Sequence, residues 1–322
     1  MPHSTVGTGP LARLWNRAAA AHPLTHDLVS EVTRRDLSFR EEDLLLAYEG
    51  GDLAGFAVAK RLRRPALGCE RYRDVGYISL LAVAPGFQRR GIGRRLVARA
   101  EDYLRADGAA RIVVGGSFHH ALAGIPRGLP GAAEFFAGCG YDLDPRTVWD
   151  VARDVRHFEV PPRVGEDLAA ARVEGRIVGT RWGSSFEPED TAALLEFLAA
   201  EFPGRWFRDV GAALGRPDAL ALVVTLFSGL RAVAFAQIHL PGSPGSLRWQ
   251  GFDPDVAAIG PVGVAKDWQG RGLGLAVVAL AADHLKRTGA RRVVIDWTDL
   301  VDFYGRLGFE PWLSYDLASR TL

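Results

Sequence analysis

With 322 residues and a 48% hydrophobic share, the chain can bury one large core or two ordinary ones, and its length favours two domains. A formal net charge of +1 excludes a global field that would draw in nucleic acid or an anionic membrane. Cys69 and Cys139 do not stand at metal-ligand spacing and read as reduced thiols, so no metal is expected. The N-terminus lacks a basic-then-apolar signal pattern and the longest apolar run, "ALALVVTLF", is too short to span a bilayer, so the expectation is a soluble cytoplasmic protein without membrane or nucleic-acid partners.

In the first half, "LARLWNRAAAAH" and "LTHDLVSEVTRRD" carry apolar residues at helical spacing, and "DLLLAYEGGDLAGFAVAKRL" reads as two strands around a Gly-Gly-Asp turn. A polar loop, the strand "VGYISLLAVAP", a glycine loop, a helix to about Ala106 and the strand "ARIVVGG" follow. "AAEFFAGCGYDLDPRTVWDVARDV" closes the half as a short helix and two strands. The N-terminus is too short for a full first strand before Leu11, so this half lacks or borrows that edge.

The second half repeats the order. "TAALLEFLAAEF" reads as a helix capped by Asp190, and "ALALVVTLFSGLRAVAFAQIHL" as a hairpin around Ser228 and Gly229. A strand ending at Ala265, a second glycine loop, a helix to about Thr288, "RRVVIDW", "LVDFYGRLG" and "FEPWLSYDL" complete it. Between the halves "VPPRVGEDLAA" has the composition of a linker, which divides the chain into residues 1–159 and 160–322.

The two glycine loops are the repeated statement. "QRRGIG" begins at 88 and "QGRGLG" at 269, an offset of 181 (269 − 88), each between an apolar strand and an amphipathic helix. A helix begun this way leaves its first N–H groups without intrahelical partners and adds the positive end of its dipole. Glycines at 91 and 93, and at 272 and 274, let the backbone turn tightly, while Arg89, Arg90 and Arg271 add charge. The pattern suits a pyrophosphate, although neither the dinucleotide fingerprint nor the P-loop is present.

Gln-x-x-Gly-x-Gly between strand and helix, followed by a strand and then "FY" a few residues before "GF", resembles the GNAT superfamily of acyl-CoA-dependent N-acyltransferases. The resemblance covers nearly the whole chain as a tandem pair. It implies an α/β (α+β) fold of two GNAT-like domains, each a mixed central sheet flanked by helices, and acetyl-CoA as co-substrate. Carried over by residue, it implies that Gln88, Arg89, Arg90, Gly91, Ile92, Gly93 and Arg94 hold one coenzyme pyrophosphate. Gln269, Gly270, Arg271, Gly272, Leu273, Gly274 and Leu275 would hold another. The pantetheine arms would run along Leu81, Ala82 and Val83, and along Val262, Gly263 and Val264. The acceptor would be a small-molecule or peptide amine, and the protein a monomer or homodimer.

Acyl transfer to an amine needs a neutral nucleophile and a proton for the departing thiolate. An alkyl amine of pKa about 10.4 is neutral in only about one molecule in 2,500 at pH 7, a deficit of roughly 4.6 kcal/mol. The family's acid is the tyrosine of "FYxxxGF", which places the role on Tyr304; the same alignment puts Phe136 in the first half. A phenyl ring has no proton to give. The first half also carries thirteen extra residues between loop and aromatic (136 − 88 = 48 against 304 − 269 = 35), in a stretch where His119 and His120 either replace the acid or belong to an ordered surface loop. Asp74 and Asp255 coincide under the same offset, and Asp255 either orients a water that takes the amine proton or ends a turn. Trp297 stands where many relatives have asparagine, and Pro261 predicts a strand bulge that turns the Val262 N–H toward the thioester oxygen.

Overall fold

A computed structural model describes residues 6–63, 67–173, 178–182, 186–214 and 223–322. The first half opens with α1 (Thr8–Ala18) and α2 (His26–Val32), then the hairpin of β1 (Leu44–Glu49) and β2 (Asp52–Arg61). Among the described residues no strand precedes α1. β3 (Val75–Val83), α3 (Ile92–Ala106), β4 (Arg111–Val114), a two-residue β5 (Ile125–Pro126), α4 (Ala132–Ala137) and β6 (Asp142–Asp154) follow. In α3 the buried Ile92, Leu96, Val97, Ala100 and Leu104 recur every three or four residues, which turns one face onto the sheet and leaves the arginines outside. β6 is one long strand, where the sequence suggested two. The break around Pro145 is absorbed as a register shift, with Thr147 opposite Asp316 and Leu143 opposite Ala318.

The expected linker is a helix, α5 (Pro162–Val173). Pro162 opens its first turn and Pro161 stands just before it, where a missing N–H costs nothing, and "VGEDLAAARV" then favours helix. β7 (Val178–Trp182) is the extra first strand of this half. In α6 (Pro188–Glu201) the cap is Glu187; Asp190, expected to be the cap, sits three residues in and accepts from the Glu187 N–H at 3.0 Å. α7 (Arg205–Leu214) comes next, and residues 219–222 of the expected hairpin lie outside the described residues. β8 (Val223–Ser228), β9 (Arg231–His239), β10 (Val256–Val264), α8 (Leu273–Arg287), β11 (Arg292–Thr298), α9 (Val301–Gly305) and β12 (Glu310–Thr321) complete the chain. No described helix is long and apolar enough to cross a membrane.

All the strands join one sheet, in the order β1-β2-β3-β4-β12-β6-β11-β10-β9-β8-β7, with β5 beside β12. The two closing strands are exchanged. β6, from the first half, pairs with β11 of the second (Val151 opposite Ile295), while β12 pairs with β4 of the first (Ala318 opposite Val114). β6 and β12 pair with each other at the centre. The division near residue 160 therefore separates segments that share a continuous hydrogen-bonded ladder. α1 and α2 pack on one face of the first half's sheet and α3 and α4 on the other, while α8 lies against β9 and β10.

Candidate active site

Each half contains the same opening. β3 pairs in parallel with β4 only from Val75 to Ile78, and β10 with β11 only from Val256 to Ala258. Beyond those points the strands part. Leu81–Val83 and Val262–Val264 remain paired with the neighbouring hairpin on one side, so their other edge faces the split. A bulge marks each parting: the β2–β3 register shifts around Ser79, and the β9–β10 register between Ile259 and Val262, where Pro261 predicted it. An open strand edge beside a bulge is what an amide-bearing arm such as pantetheine can pair with.

The glycine loops share one backbone. Arg89 and Gly270 adopt φ of 61° and 76°, and the helix caps Gly91 and Gly272 adopt 77° and 76°. Neither α3 nor α8 has a side-chain cap, so the first N–H groups of both helices stay available to an anion. The loop glutamines point the other way: Gln88 Nε2 donates to the Val83 carbonyl at 3.0 Å, and Gln269 Nε2 to that of Val264 at 3.3 Å. They brace the loop against its strand.

The halves differ in charge and in what fills the split. Arg89, Arg90, Arg94 and Arg95 surround the first loop, although Arg94 donates to the Gly138 carbonyl at 2.8 Å. At the second loop Arg271 stands with Asp167 of α5, whose carboxylate lies where a methyl group on Gly272 would point. In the first half the inserted segment turns back into the split: the Gly116 N–H donates to Leu122 O at 2.8 Å, and Gly115 abuts Gly124 so closely that a Cβ would stand 2.7 Å from its Cα. Ala121, Leu122 and Ala123 are buried with Leu80 and Ala82.

In the second half the positions of Gly115 and Gly116 are held by Asp296 and Trp297 (296 − 115 = 297 − 116 = 181). Trp297 has φ of 48° and donates its N–H to Asp150 Oδ1 at 3.1 Å. Asp296 faces Gly260 across the split. Its Oδ2 lies 3.2 Å from Arg248 Nη2 and 3.4 Å from His120 Nε2. Burial alone would raise the Asp296 carboxyl, but the Arg248 charge and a hydrogen bond from His120 outweigh it and hold it well below the usual carboxylate range. Burial, with the charges of Arg248 and Arg205, pushes His120 down to about 3, so its ring is neutral. His239 Nε2 meets the Gly260 carbonyl at 2.9 Å, and since a carbonyl only accepts, that nitrogen carries the proton.

Tyr304 lies at the end of this split on α9, buried against Phe303 and Phe309 at centroid distances of 5.0 and 6.4 Å. No partner for its hydroxyl is present among the described residues. Burial, then the Asp296 charge, raises it to about 12, so it is a protonated phenol at neutral pH. Phe136 occupies the equivalent place in the first half, 5.5 Å from the Tyr141 ring. Asp255 is not brought to the site. It sits in the turn before β10, at the far end of the strand from the bulge, with its side chain 54% exposed and 3.9 Å from Arg291. The turn reading is the one its surroundings fit.

His120 also departs from expectation: it lies not on the surface but in the opposite half's site, with Nδ1 2.6 Å from Arg205 Nη2 and its ring 5.1 Å from Trp297. The His119 carbonyl accepts from Lys60 Nζ of the first half at 3.3 Å, while its ring feels the charges of Asp36 and of Asp209 and Arg208 on α7. Sequence reasoning missed Asp296, Arg248, Arg205 and His239. For Asp296 a signal existed, a charged residue inside the apolar strand "VVIDW".

The sequence pattern of the family described as "Acetyltransferase (GNAT) family" matches residues 11–123 and 191–309. The chain belongs to the GNAT acetyltransferase family. At family level this carries acetyl transfer from acetyl-CoA. Mycothiol acetyltransferase of Nocardia farcinica is 29% identical over 277 residues, covering 83% of this chain and 79% of the relative. That of Geodermatophilus obscurus is 27% identical over 249 residues, covering 71% and 69%. Among solved structures, a tandem GNAT protein from the clavulanic acid biosynthesis pathway superposes with a TM-score of 0.62 at 17% identity, covering 99% of this chain and 96% of its own. A GCN5-related glucosamine N-acetyltransferase region of a fungal multi-domain β-N-acetylglucosaminidase gives 0.82 at 22% identity, covering 97% of this chain but 37% of that one. At these identities the structures speak for the fold: a tandem GNAT architecture, resembling mycothiol synthase in layout.

Proposed function

We propose that the protein transfers an acetyl group from acetyl-CoA to a primary amine, and that the chemistry takes place in the C-terminal half. The observation that carries this is the Tyr304 hydroxyl, borne on a buried ring beside the second split and without a hydrogen-bond partner among the described residues, set against Phe136 and a filled split in the first. Acetyl-CoA supplies the activated acyl group as a thioester. The N–H groups from Gly272 to Leu275 hold its pyrophosphate, and Val262–Val264 offer the open strand edge to its pantetheine arm. The amine nitrogen attacks the carbonyl, the C–N bond forms, the C–S bond breaks, and the thiolate takes the Tyr304 proton while the amine's proton leaves to solvent. The bulge at Pro261 lets the Val262 N–H face the carbonyl oxygen as charge develops.

The first half, in this reading, keeps a coenzyme loop at Gln88–Arg94 without the chemistry. Two observations support it: four arginines crowd that loop, and no hydroxyl stands at position 136. The mycothiol acetyltransferase relatives favour a small-molecule acceptor over a peptide. The test is release of thiol from acetyl-CoA across an amine panel, with calorimetric titration of coenzyme A alongside. Binding near two sites per chain with no thiol release from any amine would replace the transferase with an acyl-CoA sensor.

A further inference from the structure

Asp296 has two oxygens with different surroundings. Oδ2 is held by Arg248 Nη2 and His120 Nε2 at 3.2 and 3.4 Å. Oδ1 has no hydrogen-bond partner among the described residues and lies 3.3 Å from where a Cβ on Gly260 would stand, at the bulge beside the proposed acyl carbonyl. The side chain is 19% exposed, so the carboxylate is not sealed from solvent. A carboxylate oxygen fixed in a narrow polar split and lacking a donor is a receptor for a cation carrying N–H groups.

We infer that the acceptor enters the C-terminal split as a primary ammonium ion bound to Asp296 Oδ1, and that His120, from the first half's inserted segment, is the positioning residue that fixes this carboxylate. The inference rests on the acetyl-transfer reading. It also gives the thirteen-residue insertion a purpose: the segment that fills the first split carries His120 into the second. The first half thus contributes to the acceptor's side of the site without performing transfer itself. The acceptor class follows from the charge. Alkyl amines, cationic at neutral pH, are selected over weakly basic aryl amines and over alcohols of the same shape.

The ion pair has a cost that can be read. An ammonium held by a carboxylate gives up its proton less readily, so the pKa seen in kcat, which belongs to the enzyme–substrate complex, is raised above that of the free amine. The charged or titratable groups facing Asp296 are Arg248, His120 and Arg205, with Asp150 on β6, His239 on β9, Tyr304 on α9 and Tyr315 on β12. Asp296→Asn removes the carboxylate and should lower that kinetic pKa by about one unit, while raising the acceptor KM at least tenfold and leaving coenzyme affinity within twofold.

Binding without turnover separates this inference from the transferase reading. Protein loaded with coenzyme A is titrated by calorimetry with benzylammonium and with its neutral isostere benzyl alcohol. The expected result is at least tenfold preference for the cation, falling to less than threefold in Asp296→Asn. Equal binding of the two probes, no binding of the cation, or an undiminished preference in Asp296→Asn overturns the inference, even where thiol release shows that the protein is a transferase. For the first half's part, His120→Phe keeps a ring against Trp297 but removes the nitrogen facing Asp296. It should raise the acceptor KM about fivefold or more with coenzyme affinity unchanged, and His120→Asn should restore part of the loss. A fall in Tm with an unchanged acceptor KM would reduce His120 to a packing residue and overturn that part.

Discussion

Phe303 covers Gly274 as Phe135 covers Gly93: a methyl group on either glycine would stand 3.1 Å from the ring above it. The second glycine of each loop is thus also a seat for an aromatic, and in the C-terminal half that aromatic is the neighbour of Tyr304. Gly274→Ala should shift the Phe303–Tyr304 pair, costing about 1–3 kcal/mol of stability and lowering kcat as well as coenzyme affinity. Gly274→Glu adds bulk and negative charge, and should abolish coenzyme binding at the C-terminal loop. Thermal melts with calorimetric titration check both; unchanged coenzyme affinity in the glutamate variant would refute the loop assignment.

Tyr304→Phe should keep coenzyme affinity and lower kcat by about 10²-fold, the usual scale of a general acid. A phenol raised from 10 to about 12 stays protonated through the working range, so this group should impose no fall in rate until pH approaches 12. Its contribution to stability is complete below pH 10 and is lost as pH rises toward 12. Single-turnover rates of the variant, measured where chemistry limits turnover, decide the role.

Asp167 brings negative charge to the N-terminus of α8, where the phosphates would sit. Asp167→Asn removes the competition and should tighten coenzyme binding at the C-terminal site by about two- to fivefold, the size of one charge at a helix terminus. The change should shrink at high salt. Titrating wild type and variant at two ionic strengths measures it, and weaker binding in the variant would show the carboxylate to be a brace for the loop.

Acid should unfold the protein through buried neutral histidines. Burial lowers His22 from 6.5 to about 4, so its contribution is complete above pH 6.5 and lost as pH falls toward 4; His120, at about 3, acts in the same direction. Asp150, raised to about 6 chiefly by burial, runs the other way, favouring the fold below its unfolded value of 3.8 and losing that as pH climbs through 6. His22→Phe should reduce the stability lost between pH 7 and pH 4 by about 3 kcal/mol. The exchange suits the site, because the His22 ring already meets Phe252 and Tyr315 edge to face and Trp15 bonds only to the His22 carbonyl. Urea melts across that pH range test it.

The repeat, the loops and Tyr304 are legible in the sequence because each rests on local pattern: glycine spacing, strand-to-helix succession and an aromatic at a fixed distance. Asp296, Arg248, Arg205 and His120 are not, since they come from β11, a loop before β10, α7 and the first half's insertion, and meet only through tertiary folding. α5 reads as a linker because Pro161 and Pro162 give that impression until their position at the helix start is known. The exchange of β6 and β12 leaves no trace in hydrophobic periodicity, which reports which face of a strand is buried and not which neighbour it has.

That exchange governs how the chain can be made. β4 ends at Val114, but the strand that lies beside it starts at Glu310, so at ordinary rates of synthesis the first sheet waits roughly 10–40 s with an open edge. A nascent first half therefore keeps an unpaired strand edge, and with it a tendency to aggregate, until β12 is made. Cutting the gene between the repeats should yield two fragments that stay soluble only when produced together.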